Sequence, residues 1–211
     1  MAQMPQFPLG AVLFPSMVLP LHIFELRYRK LVVDVLEQNS EFGVVLIERG
    51  SEVERNGQRS NFGTSAKIVK AEQFSDGRWS LLAVGCERFQ VDKWLEDDPY
   101  PQAEITRLPE VSTEVKVQSS EFSAVVTKFC RFMALASEAG LNVGSVPDCS
   151  FDPEIGTYQM AGLAPLNLLD KQAILTAPDM SKRLDILGKC FDEGIETITF
   201  RLTNAPNSYK K

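Results

Sequence analysis

The chain has 211 residues, 44% hydrophobic and 24% charged, with a formal net charge of −6 and a single histidine, His22. Such a composition belongs to a globular protein with enough apolar side chains for one large domain or two small ones. One histidine excludes any metal site that needs two, and leaves His22 as the only imidazole for a Ser-His-Asp or Cys-His mechanism.

Residues 1–110 hold 12 basic and 16 acidic side chains, and residues 111–211 hold 10 and 12. Neither half is a basic arm, which disfavours binding through nucleic-acid phosphates. Cys86, Cys130, Cys149 and Cys190 are scattered, with no Cys-x-x-Cys, and read as reduced, mostly buried thiols of a cytoplasmic protein. The start, Met1-Ala2-Gln3-Met4-Pro5, lacks the basic and apolar regions of a signal peptide. No apolar run approaches the ~20 residues that cross a bilayer, so no membrane partner is expected.

Residues 7–14 form a short apolar run broken by Pro8 and Pro15. With Pro20 added, this stretch is expected to be an edge strand, a bulge or a bent loop, because proline cannot donate to a sheet ladder. Tyr28, Leu31, Val32, Val35 and Leu36 recur at helical spacing and predict one amphipathic helix. Gly43 to Glu48 reads as a fully buried strand. Gly57 to Thr64 approaches a phosphate-binding loop, but its glycine spacing is one residue too long and no Lys follows, so it is read as a surface turn. Thr64 to Phe74 and Trp79 to Val84 are strands joined by an Asp76-Gly77 hairpin turn. Phe89-x-Val91 and Ala103-x-Ile105 alternate as half-buried strands do. The set predicts a small barrel or a strongly bent sheet with one packed helix. Glu96, Asp97 and Asp98 read as a solvated acidic loop and not as a cation site. A domain boundary is expected at Pro109 to Thr113, dividing residues 1–110 from residues 111–211.

Beyond it the hydrophobic period becomes helical. Phe122, Val125, Val126, Phe129, Phe132, Met133 and Ala136 form one stripe. Asp152-Pro153 starts a second helix, Asp170 to Thr176 gives a third, and Asp179 caps a fourth that ends near Phe200. Four such helices predict a bundle. The tail after Phe200, with Pro206, is expected to fray.

No Gly-x-Gly-x-x-Gly, Gly-x-Ser-x-Gly or His-Glu-x-x-His occurs, so no cofactor, metal or catalytic residue is assigned. His22 and Glu25 lie three apart but come without a nucleophile. The segment that stands out combines Phe14, Met17, His22, Phe24, Arg27 and Tyr28 with three prolines. Its apolar side chains either plug the end of the barrel or line a groove, and Arg27 pairs either with Glu25 or with a ligand carboxylate.

Phe7-Pro8-Leu9, Val12-Leu13-Phe14-Pro15 and Leu19-Pro20-Leu21-His22-Ile23-Phe24-Glu25-x-Arg27-Tyr28 resemble the opening signature of the Lon protease N-terminal domain. Phe62-Gly63-Thr64-x-Ala66-x-Ile68, Gly85-x-x-Arg88-Phe89-x-Val91 and Leu168-x-Asp170-Lys171-Gln172-x-Ile174-Leu175 continue the likeness. The resemblance implies an α+β fold, a PUA-like small β-barrel followed by a helical bundle. It also implies a non-enzymatic module that recognises unfolded or degron-bearing polypeptides or a protein partner, as an adaptor or regulator of proteolysis. No ATPase or peptidase module is expected within this chain. RNA binding, known among PUA-like folds, is the alternative; it needs a basic patch gathered by folding from residues such as Arg27, Arg29, Lys30, Lys67 and Lys70. Ser16 stands where glycine usually follows the Phe-Pro of the signature, so a left-handed turn there is more costly.

Overall fold

The computed structural model describes residues 2–49, 57–108, 119–143 and 149–204. The chain divides into two compact units, Met1–Glu110 and Val111–Lys211. The proposed linker at Pro109 to Thr113 and the tail around Pro206 lie outside the described residues.

The first unit contains β1 (Ala2–Leu9), β2 (Val18–Ile23), α1 (Leu26–Glu37), β3 (Glu41–Arg49), β4 (Gln58–Gln73), β5 (Trp79–Trp94) and β6 (Gln102–Leu108). Neighbouring strands run β2-β5-β4-β3-β1-β6, and β6 pairs back onto β5. Five strands therefore share a closed ring of pairings. β2 is an added strand on the first half of β5, and β6 takes the second half.

Phe42 to Leu46 of β3 are all buried, as a continuous apolar run requires when β1 and β4 flank the strand. On α1, Tyr28, Leu31, Val32 and Val35 face the core, where they meet Phe7, Phe42, Val44 and Leu81. Each such buried side chain contributes about 1.5–3 kcal/mol. A smaller cluster joins Met4, Val45, Phe89, Val91, Ala103 and Ile105.

Four local expectations are corrected. The cysteines are not mostly buried: Cys86 and Cys130 are exposed, Cys149 is half-buried and Cys190 alone of the four is buried. β1 lies between two strands although it holds Pro5 and Pro8. Its residues Ala2 to Pro5 pair with β6 and Gln6 to Leu9 pair with β3. Each half therefore has one unpaired side, where a proline costs no ladder bond. Residues 58–64, read as a surface turn, open β4 instead. Gly63 is there for close approach: a Cβ on it would sit 2.3 Å from the Val44 carbonyl oxygen. The strands read separately at Trp79 to Val84 and Phe89 to Val91 are one 16-residue strand. It continues through Gly85, whose backbone packs under the Phe14 carbonyl.

Ser16 adopts φ 63°, the left-handed turn that favours glycine. Its N–H donates to the Gly85 carbonyl at 2.8 Å, which holds the turn against β5. The hairpin turn is formed as read, with Gly77 at φ 80°.

The second unit contains α2 (Ser119–Glu138), α3 (Pro153–Leu163), α4 (Leu168–Leu175) and α5 (Met180–Asn204). Asp152 caps α3 by accepting from the Glu154 N–H at 2.9 Å, and Asp179 accepts from the Lys182 N–H at 2.8 Å. The α2 stripe buries Phe122, Val125, Phe129, Phe132, Met133 and Ala136, with Phe129 and Phe132 against Phe191 of α5. α5 runs four residues beyond the expected stop near Phe200.

Candidate functional site

β2 pairs with β5 alone, which makes it the edge strand that Pro20 requires. Strand alternation turns Leu21 and Ile23 into the core and leaves His22 exposed. The chain then turns into α1 at Glu25, its N-cap. That turn lifts Phe24 onto the surface, where it is 62% exposed. Two bonds from one side chain hold it there. Arg29 Nε donates to the Phe24 carbonyl at 2.8 Å, and Arg29 Nη1 donates to the Asp76 carbonyl in the β4–β5 turn at 3.0 Å.

Phe24 stands between two clefts. The first, about 130 Å³, opens between Phe7, Pro8 and Leu9 of β1 and the segment from Leu21 to Glu25, with Tyr28 at its base. The second, about 250 Å³, is lined by His22, Ile23, Phe24, Phe74, Arg78 and Trp79. His22, Ile23 and Phe24 belong to both. Burial pushes the Tyr28 phenol up to about 12, against the nearby Arg27 charge, which favours ionisation. The Arg27 guanidinium lies 4.6 Å over the Tyr28 ring, and its Nε donates to Glu25 Oε2 at 2.9 Å.

Folding divides the six candidate residues. Phe14 is 1% exposed and belongs to the core, so it presents no side chain to a ligand; its carbonyl sits over Gly85 instead. Met17 is half-buried and packs on the same core. Tyr28 is buried except where it floors the first cleft. The Arg27 side chain takes the Glu25 alternative. His22 and Phe24 are exposed and adjacent on the shared wall. Sequence reasoning missed Phe74, Arg78 and Trp79. Their signal was present: the three flank the Asp76-Gly77 turn, and a hairpin brings its two ends together.

His22 and Glu25 share the first cleft with one side-chain hydroxyl, the Tyr28 phenol, whose ionisation burial pushes up to about 12. Among the described residues no group of three or more His, Cys, Asp or Glu side chains could hold a metal ion. Of the cations named for an RNA patch, Arg27 is paired with Glu25 and Lys30 with Asp34 at 2.6 Å. In the second unit, a more polar hollow of about 410 Å³ lies between Leu166 and Asp170 on one side and Cys190 to Arg201 on the other.

The family model for the ATP-dependent protease La (LON) substrate-binding domain matches residues 3–190. The chain belongs to the Lon substrate-binding domain family. The Lon protease of Amoebophilus asiaticus is 28% identical over 196 residues, covering 90% of this chain and 23% of the relative. Lon protease 2 of Syntrophobacter fumaroxidans is 27% identical over 177 residues, covering 82% and 22%. The chain thus spans under a quarter of these relatives' length. The Lon N-terminal domain protein of Xanthomonas campestris superposes with a TM-score of 0.64 at 24% identity, over 89% of this chain and 97% of that one. The N-terminal domain of the Mycobacterium avium complex Lon protease gives 0.61 at 17% identity, over 91% and 99%. These two structures establish a Lon N-terminal α+β fold. Among the described residues, no helix is long and apolar enough to cross a membrane.

Proposed function

We propose that the first unit binds exposed apolar stretches of polypeptide in the two clefts beside Phe24. On this reading the protein is a non-enzymatic, cytoplasmic recognition module that presents unfolded or degron-bearing polypeptides to proteolysis, as an adaptor or regulator. The observation that carries it is Phe24. A phenylalanine 62% exposed, clamped by Arg29 and lining two apolar clefts, joins them into one apolar patch, the kind of surface that marks an interaction site. Membership of a family described as substrate-binding supports the choice of polypeptide as that ligand. Apolar pockets read side chains well, and such grooves bind peptide segments across many folds.

The test is fluorescence anisotropy with a fluorescein-labelled, apolar, unstructured peptide and with a labelled single-stranded RNA. The proposal expects the peptide to bind and Phe24→Ala to weaken it without unfolding the protein. Binding of the RNA alone, or peptide binding untouched by Phe24→Ala, would overturn it.

A further inference from the structure

We propose that these clefts select an extended segment with apolar side chains at alternate positions and a carboxylate beside the one in the second cleft. The proposal rests on the polypeptide-binding reading above and specifies its ligand. The two clefts share the His22–Phe24 wall, so their occupants lie side by side across it. In extended chain, side chains i and i+2 lie on one face about 6.5–7 Å apart, which spans such a wall. A slot of about 130 Å³ bounded by β1 and the end of β2 has room for single side chains. Pro8 and Pro20, one in each bounding strand, remove backbone donors there. Recognition therefore falls on side chains.

Charge distinguishes the clefts. The first is bordered by Glu25, which Arg27 neutralises behind a side chain only 11% exposed. The second is bordered by Arg78, whose ion pair with Asp76 is open to water, with 59% of the Arg78 side chain exposed. Arg29 adds a second guanidinium at the same corner. Its side chain donates to the carbonyls of Phe24 and Asp76, neither of them a carboxylate. The turn thus brings two guanidiniums beside one carboxylate, with Arg78 and not Arg29 bonded to the Asp76 carboxylate. An exposed ion pair is easily exchanged, so a ligand carboxylate can take Arg78 from Asp76 and collect the excess positive charge.

Three fluorescein-labelled peptides test this, each with a Leu-Thr-Phe core flanked on both sides by Asp, by Asn or by Lys. At low salt the Asp peptide is expected to bind about threefold tighter than the Asn peptide and at least fivefold tighter than the Lys peptide. Arg78→Glu should reverse that order while leaving thermal stability unchanged. Equal binding of all three, still dependent on Phe24, refutes the charge preference and leaves the proposed function standing. Unchanged order in Arg78→Glu also refutes it. Failure of all three to bind refutes both.

Discussion

Replacing Phe24 by alanine separates a binding surface from a core. A phenylalanine side chain offers roughly 200 Å², and at 62% exposure about 120 Å² of it faces solvent. A ligand covering half of that area gains about 1.5 kcal/mol at roughly 25 cal/mol per Å², which is about tenfold in Kd. Little is lost from the folded state, because the ring is mostly in water already; unfolding free energy should change by no more than about 0.5 kcal/mol. Phe14→Ala is the contrast. That ring is 1% exposed, and its truncation should cost about 3–5 kcal/mol. Anisotropy titration with a labelled apolar peptide measures the first quantity and urea unfolding the second. An unchanged Kd for Phe24→Ala would refute the reasoning, as would a loss of stability comparable to that of Phe14→Ala.

Ser16→Gly should stabilise the protein by about 0.5–1 kcal/mol, because φ 63° strains serine and not glycine; an unchanged or lower urea midpoint would contradict this. Alkaline pH should weaken the fold between about pH 10 and pH 12. Burial holds the Tyr28 and Tyr100 phenols at about 12, while unfolded tyrosines ionise near pH 10. The unfolded state therefore loses protons first, and stability present below pH 10 is lost as pH rises through 12. Absorbance at the phenolate band should show these two tyrosines titrating late, and Tyr28→Phe should flatten the alkaline loss of stability.

Much of the fold was legible because local chemistry and packing agree. The 3.6-residue stripes of α1 and α2, the Asp152-Pro153 start and the Asp76-Gly77 turn all act over a few residues. Errors arose where distant backbone decides. Gly57 and Gly63 look like turn residues, yet Gly63 is a strand residue pressed against Val44. Pro5 and Pro8 argue against an interior strand, yet β1 exchanges partners between them and each keeps an unpaired side. The candidate site was half legible for the same reason. Phe14 and Phe24 sit in similar Pro-rich surroundings, and only the packing of the turn at Ser16 against Gly85 buries the first while α1 lifts the second. Phe74 and Trp79 reach the site through a hairpin whose position opposite β2 depends on sheet order.

The lone histidine offers the most direct test of where polypeptide binds. His22 lies on the wall shared by both clefts, and a chain with one histidine gives a single imidazole Hε1 signal that needs no assignment. Titrating unlabelled apolar peptide into the protein and following that signal by NMR should shift it progressively to saturation, with the midpoint found by anisotropy. Peptide that binds while the His22 signal stays still, with shifts falling instead around the hollow between Leu166 and Arg201, would contradict the account.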